Sequence, residues 1–227
     1  MRYKKIRSIL MLLIFVITLF IWAYLIMNPH LIRVSQNELI NILPIFFEIN
    51  FAIIIFFFIL TLPTVKKHLA IKEKTKKMLI LTIIAGFLLR AFLVTHTHRV
   101  FFDEDLYLGI ANSIATENRA ILCNYGTPTK CFEGILNKDP SGFPFLVSIF
   151  FKTIGKGDAI AFALSTIIGT LSILVAFLLT YLLFNNEKAS LYASLFFAFL
   201  PINIVWSGSA ATEIYFLFFS SLSIFYL

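Results

Sequence analysis

AIAFALSTIIGTLSILVAFLLTYLLF, residues 159–184, carries no charged side chain. An α-helix rises about 1.5 Å per residue, so a helix of this length outreaches the ~30 Å hydrocarbon core of a bilayer. Working outward, the apolar runs 8–27, 39–62, 78–95 and 189–205 meet or approach the same length. A last run, 213–227, reaches the end of the sequence without a polar tail, and the expectation is that the chain is the front part of a longer protein. Composition agrees: hydrophobic residues make up 59% and charged residues 14%, against roughly 45–50% and about 25% in a soluble domain. Twenty-seven phenylalanines beside nine glycines and seven prolines exclude disorder, a collagen-like repeat and a small disulfide scaffold. The expected fold is an all-α polytopic transmembrane helical bundle with an external loop carrying juxtamembrane helices.

The net charge of +7 is read as topology, because no basic stripe in a polar domain points to nucleic acid. Lys and Arg stay cytoplasmic during insertion. Residues 1–7 hold Arg2, Lys4, Lys5 and Arg7, and residues 63–77 hold six lysines against Glu73. Both segments belong inside, separated by two spans. The first apolar run is too long for a signal peptide and no small-residue cleavage site follows it, so it reads as a retained anchor. Residues 1–77 are thus an N-terminal transmembrane hairpin with a basic cytoplasmic loop. The third span exits the membrane and delivers residues 96–141 outside. That loop has four basic and six acidic residues, and its negative sign suits an extracytoplasmic face of a cell membrane.

The external loop is the chemical part of the chain. It holds both cysteines, Cys123 and Cys131, around the turn-forming Asn124-Tyr125-Gly126-Thr127-Pro128. A disulfide there would contribute roughly 2–3 kcal/mol by restricting the unfolded chain. Two free thiols are the alternative, and the spacing does not suit a zinc knuckle. Upstream, Asp103, Glu104 and Asp105 open a helix in which Leu106, Ile110 and Ile114 recur at i, i+4 and i+8. Such a helix suits the membrane surface, and its N-terminal N–H groups stabilise ionised carboxylates. An ionised Asp can act as a general base; acids in a first turn can equally be plain caps.

Three further readings bear on the site. His96 and His98 precede the acids and, with Asp103 or Glu104, form a weak candidate set for a divalent metal, against a plain interfacial role; a divalent ion is the one cofactor in view. Glu48 and Arg90 lie in apolar runs, where each would cost roughly 2.5–3.5 kcal/mol at a helix centre. Both fall toward the external ends of their spans, so that they can pair or Arg90 can snorkel outward, with attraction of a phosphate as the other role for Arg90. The short apolar helix 143–154, closed by Gly155-Lys156-Gly157, either crosses the membrane or lies at its surface and returns. Only in the second case do Asp103 and Glu213 share a side.

In their order and spacing these residues resemble the polytopic GT-C glycosyltransferases, in particular the protein O-mannosyltransferase and lipid A aminoarabinose transferase group (glycosyltransferase family 39-like). The matching elements are a span entering an external loop, Asp103-Glu104-x-x-Tyr107 with Ile110-Ala111 behind it, and the turn Pro140-x-Gly142-x-Pro144. The short helix ending at Gly155, two spans, and Ala211-Thr212-Glu213-x-Tyr215-Phe216 complete the series. The resemblance covers residues 78–227. It implies transfer, with inversion, of a sugar from a polyprenyl-phosphate donor, mannose or a related hexose, to a protein, lipid or glycan acceptor at the external face. It makes Asp103 the catalytic carboxylate and Glu104 its acidic partner. Tyr107, Lys138, Glu213 and Arg90 become the substrate-binding candidates. In the aminoarabinose transferases an acid-Lys-Pro triplet precedes the short helix, whereas here the order is Lys138-Asp139-Pro140. Two spans also precede the family's usual first one. The competing class is a non-catalytic membrane protein, a transporter part or complex subunit, whose external loop binds a partner. Acids clustered at an interface, without internal repeats, favour the enzyme.

Overall fold

The computed structural model describes residues 29–68, 71–98, 103–127, 130–136, 141–210 and 212–226, with isolated helical positions at Val16, Phe20 and Tyr24. The rest of the first run, 8–27, lies outside the described residues, as does Lys138. The described chain is mainly helical, in the order α1 (Pro29–His68), α2 (Glu73–Leu88) running into a π-helical turn (Leu89–Leu93), α3 (Glu104–Glu117), β1 (Leu122–Thr127), β2 (Lys130–Ile135), α4 (Gly142–Thr153), α5 (Asp158–Phe184), α6 (Glu187–Phe199), α7 (Pro201–Trp206) and α8 (Thr212–Tyr226). Among these residues two segments are long and apolar enough to cross a membrane, Glu38–Leu60 in α1 and Asp158–Phe184 in α5.

The side chains of α5 are distributed as lipid demands. Ser165, Thr166, Gly169, Thr170 and Ser172 are buried on its inner face, while Ile167, Leu171, Leu182, Leu183 and Phe184 are exposed. Lipid tails are as apolar as leucine, so helix contacts there depend on close approach and polar bonding rather than on hiding hydrocarbon. Along α1, Ile45, Phe46, Ile49, Ile53, Phe56 and Ile59 are likewise exposed, a band that a water-facing surface would not carry.

The helices have two distinct ends. At one, Thr75 in the first turn of α2 donates to the Glu187 carboxylate at the start of α6. At the other, His98 lies 3.2 Å from Asp158 at the start of α5, and the Ala210 backbone N–H reaches Glu104 at the start of α3. Helix α5 therefore leaves the loop end for the basic end, and α6 and α7 return. Helix α4 packs along α3 at the loop end, with Lys152 Nζ 3.4 Å from Asn118 Oδ1, the placement that the second alternative for residues 143–154 requires. Their inward face, Phe143, Val147 and Phe151, joins Leu108, Ala111, Phe162, Ile214 and Tyr215 in the main buried cluster.

The loop departs from an all-helical reading. Strands β1 and β2 form an antiparallel hairpin, with Leu122 opposite Ile135 and Thr127 opposite Lys130, closed by a Cys123–Cys131 disulfide. Apolar periodicity gave no strand there, because most hairpin side chains are exposed. Helix α3 is also more enclosed than a surface helix. Packed between α4 and the hairpin, it buries Leu108, Ile110, Ala111 and Ile114.

Two prolines shape the loop end. Pro44 cannot supply the N–H that Ile40 C=O would receive in an unbroken helix; that carbonyl instead accepts the Ala120 N–H at 2.8 Å, docking the hairpin's approach onto α1. Pro201 likewise leaves the Phe197 carbonyl without its helical donor, and at Leu200 the backbone turns extended, with ψ 116°. The run 189–205 is thus two helices rather than one. The expected Glu48–Arg90 pair is absent. Glu48 is 3.6 Å from Lys152, and Arg90, which is fully buried, donates to Ala198 C=O at 3.1 Å, Phe197 C=O at 3.4 Å, Gly86 C=O at 2.9 Å and Ser207 Oγ at 3.1 Å. The guanidinium caps the broken end of α6. Carbonyls at a helix C-terminus attract a cation, and this demand outweighs pairing with a distant carboxylate.

Candidate active site

Asp103 is the N-cap position of α3, with Glu104 and Asp105 in the first turn. Its side chain makes no capping hydrogen bond to the helix and is exposed. Asp103 thus makes no capping bond, and its carboxylate faces outward at a positive helix end. Glu104 turns the other way. It is 1% exposed, its Oε2 accepts the Ala210 N–H at 3.1 Å, and His98 Nδ1 lies 3.4 Å away as a charge partner that makes no hydrogen bond. A buried carboxylate needs such partners, since an uncompensated one costs several kcal/mol. Neighbouring residues thus have different surroundings, one facing solvent and one locked into the bundle.

The segment that supplies Ala210 is itself held firmly. Ser207 accepts Arg90 Nε–H on its hydroxyl oxygen, donates that hydroxyl to Asn203 C=O at 2.6 Å, and accepts Thr166 Oγ1–H on its own carbonyl at 3.2 Å. Arg90, placed at the site by sequence, reaches Glu104 only through this segment, with its Nε, Nη1 and Nη2 engaged by protein acceptors.

Tyr107, one turn into α3, packs edge-on against Phe143 at 5.7 Å, and Phe143 meets Tyr215 at 4.5 Å. Tyr215 shares a hydrogen bond with Ser165 at 3.1 Å. This aromatic series links the acidic turn to α8, where Glu213 occupies the first turn. Glu213 borders a cleft of about 930 Å³ between α1, α4, α7 and α8. Its walls are overwhelmingly apolar (Phe47, Phe51, Ile54, Leu146 and Phe216), with Asn50, Asn203 and Glu213 supplying polar groups. A cleft of this size and lining suits a largely apolar ligand with a polar head.

His96 and His98 diverge. His96 Nε2 is 3.4 Å from Thr166 Oγ1, whereas the two ring nitrogens of His98 face different carboxylates. Among the described residues no group of three or more His, Cys, Asp or Glu is arranged to hold a metal ion. Burial pushes the His98 pKa down, but the hydrogen bond and charge of Asp158, followed by the charges of Asp105 and Glu104, raise it above the usual 6.5.

The structure thus gathers Glu104, His98, Tyr107 and Glu213 at one end, with Asp103 on the same turn. Sequence reasoning missed Asp158, the Ser207–Ala210 segment and Asn203. A signal for Asp158 was present, an acid opening a long apolar run directly after Gly155-Lys156-Gly157. Ala210 contributes through its backbone, which side-chain identity cannot announce.

No curated protein and no solved structure matches the chain. Residues 125–227, just under half of it, match the family model described as dolichyl-phosphate-mannose-protein mannosyltransferase. That segment takes in the Pro140–Pro144 turn, α4, α5 and Glu213, and begins after Asp103 and Glu104. Over residues 125–227 the chain is therefore similar to GT-C glycosyltransferases, a family integral to membranes, in agreement with the resemblance carried by its sequence.

Proposed function

We propose that the chain belongs to a membrane glycosyltransferase that moves mannose from a polyprenyl-phosphate donor to a hydroxyl of a protein acceptor at the extracytoplasmic face, with inversion at the anomeric carbon. The isoprenoid tail occupies the apolar cleft beside Glu213, which leaves the phosphate and sugar at the loop end. Asp103 takes the proton of the acceptor hydroxyl as its oxygen bonds to the anomeric carbon. The bond from that carbon to the phosphate oxygen breaks, and its electron pair leaves on the lipid phosphate. A positioned carboxylate contributes about 10²- to 10⁴-fold to such a step. The departing phosphate needs cationic or hydrogen-bond stabilisation, for which Lys138 is the proposed partner. Tyr107 and Glu213 flank the sugar, and Glu104 holds the turn.

One observation carries this reading. Glu104 and the segment leading into α8 are bonded directly, so the acidic turn and the mouth of a lipid-sized apolar cleft belong to one end of the molecule. The mannosyltransferase description of the matching family supports the choice of sugar and donor class. The test is donor choice. Membranes expressing the chain in its full reading frame are supplied with mannosyl polyprenyl phosphate or with a soluble mannose nucleotide under block of lipid-linked intermediates. Incorporation from the first alone is expected. Incorporation from the nucleotide would refute the donor assignment, and none from either would favour a partner-binding role for the loop.

A further inference from the structure

The acidic turn of α3 and the first turn of α5 each place carboxylates at a helix N-terminus, and one imidazole stands between them. His98 Nε2 is 3.2 Å from Asp158 Oδ2, and Nδ1 is 3.4 Å from Glu104 Oε2 and 3.8 Å from Asp105 Oδ1. The ring lies 5.3 Å from that of Phe162 on α5. Glu104, Asp105 and Asp158 are the titratable groups facing it among the described residues. A neutral imidazole donates from one nitrogen, whereas the protonated ring donates from both. Here Nδ1 makes no hydrogen bond, so the charged form holds Asp158 through the Nε2 hydrogen bond and Glu104 through charge attraction across 3.4 Å.

We infer that His98 is a positioning residue of the site, a two-sided bridge from Glu104 to Asp158 that fixes the turn carrying Asp103 against α5. The bridge stands on geometry alone; its effect on transfer rests on the reading of Asp103 as the base. Misplacing a reacting group by about 1 Å can cost about 100-fold in rate, so a clamp one residue from Asp103 acts on turnover rather than on donor binding.

The raised His98 pKa sets the direction of the pH effect. A group titrating higher in the folded than in the unfolded chain contributes fully below its unfolded value, here near 6.5, and that contribution is lost as pH rises through the folded value. Two measurements on the full chain test the bridge. In detergent, the unfolding temperature of wild type relative to His98→Gln should be highest at pH 5.5 and the difference should shrink toward pH 9, with Asp158→Asn moving the midpoint of that loss to lower pH. In membranes, His98→Gln should lower kcat for mannosyl transfer about 10- to 100-fold with KM within about twofold. His98→Arg, which keeps a cation with several donors, should recover activity to within about threefold of wild type and remove the alkaline decline. Parallel pH curves for wild type and His98→Gln, or an unmoved midpoint in Asp158→Asn, would overturn the bridge. If His98→Gln turns over like wild type while Asp103→Asn is inactive, the positioning role fails and the transferase reading stands. If wild type transfers nothing, both fall, and the unfolding curves still judge the bridge.

Discussion

The carboxylate of Glu104 accepts the backbone N–H of Ala210 across 106 residues of chain, and through this bond the helix that opens the acidic turn is fixed to the segment leading into α8. Glu104→Ala removes the acceptor and leaves a buried N–H unsatisfied, a loss of about 1–3 kcal/mol. Glu104→Gln keeps an amide oxygen for Ala210 and should lose less. Thermal unfolding of the detergent-solubilised chain should rank wild type above Gln and Gln above Ala. Equal midpoints for Ala and wild type would show that the bond contributes nothing.

Arg90 and Pro201 should be coupled. Arg90→Ala strips the Phe197 and Ala198 carbonyls of their donors and is expected to destabilise by about 3 kcal/mol, from several buried acceptors left unpaired. In that background Pro201→Ala restores an N–H to the break, so the double variant should be less damaged than the two single losses added together, by about 0.5–3 kcal/mol. Additive losses in a double-mutant cycle would separate the arginine from the proline.

Reducing the Cys123–Cys131 disulfide should loosen the hairpin and little else. A loop with a sequence separation of eight gives a chain-entropy contribution of about 2–3 kcal/mol. Hydrogen exchange with and without reductant should quicken at residues 122–135 and stay constant along α5. Unchanged hairpin protection would mean that its docking through Ala120 and Ile40 suffices.

These elements differ in how far the sequence discloses them. The span Asp158–Phe184 and the apolar stretch of α1 follow from hydrocarbon length alone, a property summed over many residues. The helix at Glu104 was legible from its acids and periodicity, and the cysteine pairing from the turn between Cys123 and Cys131. The partners of Arg90 were not. Arg90 was paired with Glu48 because both lie in apolar runs toward their external ends, whereas the structure gives it the carbonyls of Phe197 and Ala198 at the helix break before Pro201. The signal was present, since a proline inside an apolar run marks a carbonyl in need of a donor, yet which donor arrives depends on packing. The strands escaped because their exposed side chains give no alternation between core and solvent. Asp103 and Glu104 are adjacent letters, and only tertiary placement separates the exposed one from the buried one.

Sidedness gives a further prediction. Single cysteines replacing Asp103 and Glu213, in a background where Cys123 and Cys131 are serine, should both react with a membrane-impermeant maleimide added outside intact cells, while a cysteine replacing Lys74 beside Thr75 should react only after permeabilisation. Opposite labelling of positions 103 and 213 would contradict the shared end.

The most direct test of the central claim is single-turnover transfer from mannosyl polyprenyl phosphate by membranes containing wild type or Asp103→Asn at matched expression. The account predicts a fall of about 10²- to 10⁴-fold in the rate of the chemical step, with donor retention in the membranes unchanged. Transfer by Asp103→Asn at the wild-type rate would contradict it.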